Sequence, residues 1–153
     1  MWVTSGSDEK LARARALSAD HTLNHRTQDV AREIRAATRK AGVDVVVDNV
    51  GMATWKHSLA ALGKRGRLVT CGATTGPMVE TDVRRVFWNQ YSILGSTMGN
   101  DAEFSAIVDH LRAGRLLPPV DRVYGLEDGR AAYARLQEGR QFGKIVMEVK
   151  GER

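Results

Sequence analysis

The sequence predicts an α/β fold, a doubly wound and mostly parallel sheet that lacks its first strand and its glycine-rich loop. Three observations predict it. Val43-Asp44-Val45-Val46-Val47-Asp48-Asn49-Val50-Gly51 and Arg67-Leu68-Val69-Thr70-Cys71-Gly72 are apolar, β-branched runs that each end in glycine. A helical stretch over 52–64 separates them, and such alternation marks a parallel sheet covered on both faces. No G-x-G-x-x-G follows an opening strand, although that turn normally holds a pyrophosphate on backbone amides. In sheets of this kind ligands bind at the carboxyl ends of the strands, where the glycines lie.

Taken in order, residues 2–6 end a strand in a Ser-Gly-Ser turn, and Ser7 caps a helix over 8–18 with Asp8 and Glu9 in its first turn. Leu11, Ala14 and Leu17 form its expected buried stripe. A short strand lies near 21–25, and Thr27 caps a helix over 28–41 on the spacing of Val30, Ile34, Ala37 and Ala41, with Gly42 as its terminator. Strand 43–49, helix 52–64 and strand 67–72 follow. A helix over 82–90 leads to an apolar strand over 91–97. Asn100 with Glu103 is a capping-box pattern for a helix to about Ala113. Strand 120–125, helix 127–138 and strand 143–149 complete the chain.

The 153 residues fit one domain, with 42% hydrophobic and 27% charged side chains. No apolar run approaches the ~20 residues of a membrane span. The first residues carry no secretory pattern, and the single cysteine, Cys71, fits a reducing cytoplasm. A net charge of +5 comes from arginines scattered over helices, without the clustering and interleaved aromatics that nucleic-acid binding needs. His21, His25, His57 and His110 have no metal-site spacing.

The missing first strand is central in the usual order, so its loss leaves strand edges unpaired. The chain therefore reads as a C-terminal segment of a longer protein or as a truncated product. Direct pairing of the strand near residue 3 with strand 43–49 is the alternative.

Five segments in order carry a resemblance: Ser5-Gly6-Ser7-Asp8-Glu9-Lys10, Ala19 to Arg26, Gly42 to Gly51, Gly66 to Gly72, and Gly143-Lys144-Ile145-Val146. Together they resemble the Rossmann-like, cofactor-binding half of a medium-chain dehydrogenase/reductase, of the zinc-type alcohol dehydrogenase and quinone oxidoreductase group. The resemblance implies hydride transfer between a nicotinamide dinucleotide and an alcohol, carbonyl or quinone/enone. It also implies an N-terminal catalytic domain that supplies any zinc ligands and is absent here. No metal and no catalytic acid or base is therefore assigned to this chain.

The resemblance also implies positions for cofactor contact. Ser5, Gly6, Ser7 and Lys10 occupy the turn that selects the cofactor. Hydroxyls and a cation there suit the 2′-phosphate of NADP, while NAD remains open. The plain alternative is a helix cap with a solvated lysine. His25 and Arg26 would meet the adenosine end, with His25 departing from the family's usual tyrosine; the plain alternative is an exposed loop pair. Asn49, Val50 and Gly51 approach the cofactor at the switch point. Gly72, Ala73 and Thr74 face a ribose, and Ser96, Thr97 and Met98 face the carboxamide. Lys144 faces the phosphates, the plain alternative being an edge charge before a strand. Cys71 reads as a small buried filler. Trp55, Phe87, Trp88, Phe104 and Tyr133 read as core or interface rather than substrate contacts. The family also implies a homodimer through strand 91–97. The rival readings are a non-catalytic nucleotide-binding module and a Rossmann-like methyltransferase.

Overall fold

Strands and helices alternate along residues 1–149, which a computed structural model describes. They form two units, Met1–Met98 and a second beginning at Gly99. The first holds β1 (Trp2–Ser5), α1 (Asp8–Ala16), β2 (His21–Asn24), α2 (Val30–Ala37), β3 (Val43–Asp48), α3 (Trp55–Ala61), β4 (Leu62–Thr70), α4 (Val83–Asn89) and β5 (Ser92–Gly95). β1 pairs with β2, and β3–β4–β5 form a second ladder, with every pairing parallel.

Local chemistry sets the boundaries. Ser7 caps α1 by accepting the Lys10 amide at 3.4 Å. That helix ends at Ala16, so Leu17 becomes its cap residue and lies 55% exposed, outside the expected stripe of Leu11 and Ala14. Asp29, not Thr27, caps α2, accepting the Arg32 amide at 3.1 Å. The helix stops at Ala37 rather than running to 41. Thr38 Oγ1 donates to the Ile34 carbonyl at 2.7 Å and accepts the Gly42 amide at 2.9 Å. Arg39 and Lys40 then take φ of 50° and 69°, which no helix can continue.

β4 starts at Leu62, earlier than expected. Val43 pairs with Leu62, the register shifts, and Val45 resumes opposite Arg67. Leu62 and Leu68 have no exposed surface and pack with Trp55, Leu59 and Tyr91, whose hydroxyl donates to the Leu62 carbonyl at 3.0 Å. Burying each leucine stabilises the fold by roughly 1.5–3 kcal/mol. The alternative pairing of β1 with β3 does not form. The two ladders instead share an apolar cluster, with Trp2, Val43 and Val46 packed on Leu23, Ala31, Ile34 and Ala61. α3 covers the sheet face that carries Val46 and Asp48. On the opposite face Val45 and Val47 are 44% and 69% exposed, so only one face of β3 is sealed.

The second unit contains α5 (Asp101–Arg112), β6 (Val120–Gly125), a 3-10 turn (Leu126–Asp128), α6 (Gly129–Gln137) and β7 (Lys144–Glu148). Asn100 and Glu103 form the expected reciprocal cap of α5. β6 and β7 run parallel around α6. Asp121, its side chain 2% exposed, accepts from Arg135 Nη2 and the Phe142 amide, each at 3.0 Å. Among the described residues no helix is long and apolar enough to cross a membrane.

Candidate functional site

Parallel register decides where the glycine turns fall. Asp48 lies opposite Thr70, and Thr70 opposite Gly95, so β3, β4 and β5 finish level at their carboxyl ends. The segments 49–51, 72–74 and 96–98 therefore leave one rim of one sheet. Ser96 stays tied to it through its amide, which donates to the Thr70 carbonyl at 2.9 Å. Thr97 is exposed, and Met98 is 97% exposed with φ of 47°.

The β3 and β4 turns interlock. The Thr75 amide and hydroxyl both donate to the Val50 carbonyl, at 2.9 and 2.8 Å. Thr74 Oγ1 donates to the Asn49 carbonyl at 3.1 Å. The Met52 amide donates to the Gly76 carbonyl at 3.1 Å, and the Ala53 amide to Thr75 Oγ1 at 3.0 Å. Gly51 is buried with φ of +85°, and a Cβ there would stand 2.7 Å from the Gly76 oxygen. Only glycine fits that conformation and that contact. Gly72 and Ala73 stay exposed beside it. Met52 also lines an open groove of about 620 Å³ with Trp55, Leu59, Met78 and Val79.

Asp48, given no role in the sequence reading, holds the β3 turn from below. It is 4% exposed. Its Oδ1 accepts the Val50 amide at 2.9 Å and the Gly51 amide at 3.0 Å. Ser58 Oγ donates to Oδ2 at 2.6 Å, and Thr54 Oγ1 lies 2.9 and 2.8 Å from the two oxygens. Burial pushes its pKa up, but donors from Gly51, Ser58, Thr54 and Val50 together outweigh that and hold the carboxyl below its ordinary value. An aspartate two and three residues before amides at a strand end is an Asx-turn signal that the sequence already contained.

A second cluster forms at the ends of β1 and β2. Ser5 Oγ accepts the Ser7 amide at 3.3 Å, and the His25 amide donates to the Ser5 carbonyl at 3.1 Å. A Cβ on Gly6 would lie 2.7 Å from Arg26 Nε and 3.0 Å from His25 Nε2, so both exposed side chains converge over that glycine. Asp8, the acidic residue of this turn, accepts from Asn24 Nδ2 at 2.7 Å and is thereby held at the helix start. Lys10 follows one turn into α1. Lys144 opens β7 in the second unit and is exposed, its amide donating to the Pro119 carbonyl at 2.8 Å. Cys71 is exposed rather than buried, because β4 ends at Thr70 and the chain turns outward there.

Comparison with known proteins decides the family. A family model described as zinc-binding dehydrogenase matches residues 17–147. The chain belongs to that family. Within it, the chain is 31% identical to a zinc-type alcohol dehydrogenase-like protein YogA of Leptosphaeria maculans, over 97% of this chain and 44% of that protein. It is 30% identical to a 2-haloacrylate reductase of a Burkholderia species, over 94% of this chain and 46% of that one. A solved NAD-dependent alcohol dehydrogenase superposes with a TM-score of 0.87 at 37% identity, over 97% of this chain and 43% of its own. An alcohol dehydrogenase of Aeropyrum pernix gives 0.87 at 29% identity, over 97% and 42%. The chain thus spans less than half the length of these dehydrogenases and reductases.

The family name implies zinc, and the residues present do not fit it. Among the described residues no three His, Cys, Asp or Glu side chains group together as ligands would. A nicotinamide dinucleotide fits better. Gly72 and Ala73 are exposed at the end of β4, and the Arg26 and His25 donors beside Gly6 suit a phosphate.

Proposed function

We propose that residues 1–153 are the dinucleotide-binding portion of an NADP-preferring oxidoreductase, and that no turnover occurs in this portion alone. The observation that carries this reading is the level finish of β3, β4 and β5, which puts residues 49–51, 72–74 and 96–98 on one rim. When bound, the dinucleotide supplies the hydride that passes to or from an alcohol, carbonyl or quinone/enone. Asn49, Val50, Gly51, Gly72, Ala73 and Thr74 form the rim on its ribose side, and Ser96, Thr97 and Met98 the rim at its carboxamide end. Ser5, Gly6, Ser7 and Lys10 shape the adenosine turn, where Arg26 and His25 take a 2′-phosphate. Asp8 would repel that phosphate, but its bond to Asn24 turns it toward the helix start.

The substrate and the catalytic groups belong to the remainder of a longer, cytoplasmic protein that dimerises through β5. Support for the NADP preference comes from the cation over Gly6. The relatives include proteins named NAD-dependent, which makes the preference a separate question from the binding.

Titration of the purified chain with NADPH, NADH and S-adenosylmethionine tests the reading. The expected result is saturable binding of NADPH, weaker binding of NADH and none of S-adenosylmethionine. Preference for S-adenosylmethionine overturns the oxidoreductase assignment in favour of a methyltransferase. Equal affinity for the two nicotinamide nucleotides overturns only the NADP preference. A non-catalytic nucleotide-binding module is separated by joining the chain to a family N-terminal domain, where recovered reductase activity excludes it.

A further inference from the structure

We propose that Asp48 is the positioning residue of the strand-end rim, its Oδ1 setting the β3 turn and, through that turn, the β4 turn. The consequence for ligand binding rests on the dinucleotide reading above. The consequence for the turns does not.

The β3 turn is tied to the start of α3 through the Gly51 carbonyl, which accepts the Thr54 and Trp55 amides at 3.0 and 2.9 Å. Its two amides at Val50 and Gly51 both end on Asp48 Oδ1, at 2.9 and 3.0 Å. Its carbonyls at Asn49 and Val50 are taken by Thr74 and Thr75 of the facing turn. Among the described residues, Asp48 is thus the one side chain that accepts from the Val50 and Gly51 amides. Ser58 and Thr54 in turn fix the carboxylate against α3. The chain of bonds runs from helix α3 through the carboxylate to the β3 turn, and from there to the β4 turn. Buried donors left without acceptors do not stay in place. Freeing the Val50 and Gly51 amides therefore lets both turns drift together, because the Met52 amide donates to the Gly76 carbonyl and the Thr75 amide to the Val50 carbonyl.

Position and charge make different demands here. An asparagine keeps Oδ1 on both amides, while the Ser58 and Thr54 hydroxyls rotate to accept from its Nδ2. An alanine keeps nothing. Hydrogen-bond geometry at Oδ1 positions the rim, so Asp48→Asn preserves function and Asp48→Ala loses it.

The test reads amide hydrogen exchange in the free chain together with NADPH and NADH affinity. Asp48→Ala is expected to speed exchange at Val50, Gly51, Met52 and Thr75 at least tenfold, and to weaken nucleotide binding about tenfold. Asp48→Asn is expected to stay within about threefold of the parent in both. Leu68→Ala, which weakens the same sheet from its core, controls for lost stability. It should lower the melting temperature without a selective change at those four amides. If Asp48→Ala does not fold, the Thr54→Val/Ser58→Ala pair keeps the carboxylate and removes its tether to α3. It should raise exchange at the same four amides severalfold.

Exchange at these amides that matches the Leu68→Ala control overturns the proposal. So does an asparagine variant as damaging as the alanine one. If the parent chain binds neither nucleotide, the dinucleotide reading falls and the exchange pattern alone decides the role of Asp48.

Discussion

Arg26 carries the selectivity argument at the scale of single residues. It stands with His25 over a glycine whose missing side chain leaves room for both. A guanidinium gives a phosphate paired, charge-assisted hydrogen bonds and gives a 2′-hydroxyl far less. Arg26→Ala should therefore weaken NADPH binding about tenfold, near 1.4 kcal/mol, and leave NADH nearly unchanged. Equal losses for both, in parallel titrations, would remove the argument.

Asp48 makes a prediction in pH. Its native carboxyl titrates below its ordinary value because the four donors outweigh burial, so the ionised form is favoured in the folded state. That stabilisation is complete above the unfolded pKa of about 3.9 and is lost as pH falls through the lower native value. Denaturation of the parent and of Asp48→Asn between pH 7 and pH 2 should show a stability difference that shrinks only at the acid end. A constant difference across that range would contradict the assignment.

At the scale of elements, Arg35 joins three of them. From α2 its Nε donates to the Ala60 carbonyl at 3.0 Å and its Nη1 to the Lys40 carbonyl at 2.6 Å. Nη2 reaches the Leu62 carbonyl. These acceptors are the exit of α2, the last turn of α3 and the first residue of β4, so one side chain sets how α2, α3 and β4 meet. Replacing it with alanine strands carbonyls beside the Leu62 core and should cost about 2 kcal/mol, read as a lower urea midpoint at unchanged slope. The helix termini teach a related lesson. Asp29 displaced Thr27 as the cap of α2 because it sits one residue before the first helical position, and Thr38 ended that helix four residues before 41. Caps depend on local hydrogen bonds that apolar spacing does not encode.

At the scale of the whole molecule, β5 is the open edge of its ladder, and Ile93 and Leu94 are 40% and 45% exposed. Phe87 and Trp88 on the preceding α4 are 64% and 77% exposed. An unpaired apolar edge invites pairing with an identical copy. If the proposed homodimer uses β5, Leu94→Lys should give a monomer in sedimentation velocity while the parent sediments as a dimer. A parent that is monomeric at every concentration would remove the dimer.

Much of this molecule could be read before any coordinates. The runs 43–49 and 67–70 become parallel neighbours because two apolar strand-forming runs joined through a helix need a crossover rather than a hairpin, although only one face of β3 is then sealed. The glycine at 51 marks its turn because no other residue accepts φ of +85° against a facing carbonyl. The capping box at Asn100 is likewise a property of four consecutive residues. Tertiary structure alone decided the rest. Pairing β1 with β2 and not with β3 depends on how distant segments share one apolar cluster. The role of Asp48 depends on Thr54 and Ser58 arriving from α3, and the exposure of Cys71 on where β4 stops. Short-range chemistry is written in neighbouring residues. Contacts between remote ones exist only once the chain has closed on itself.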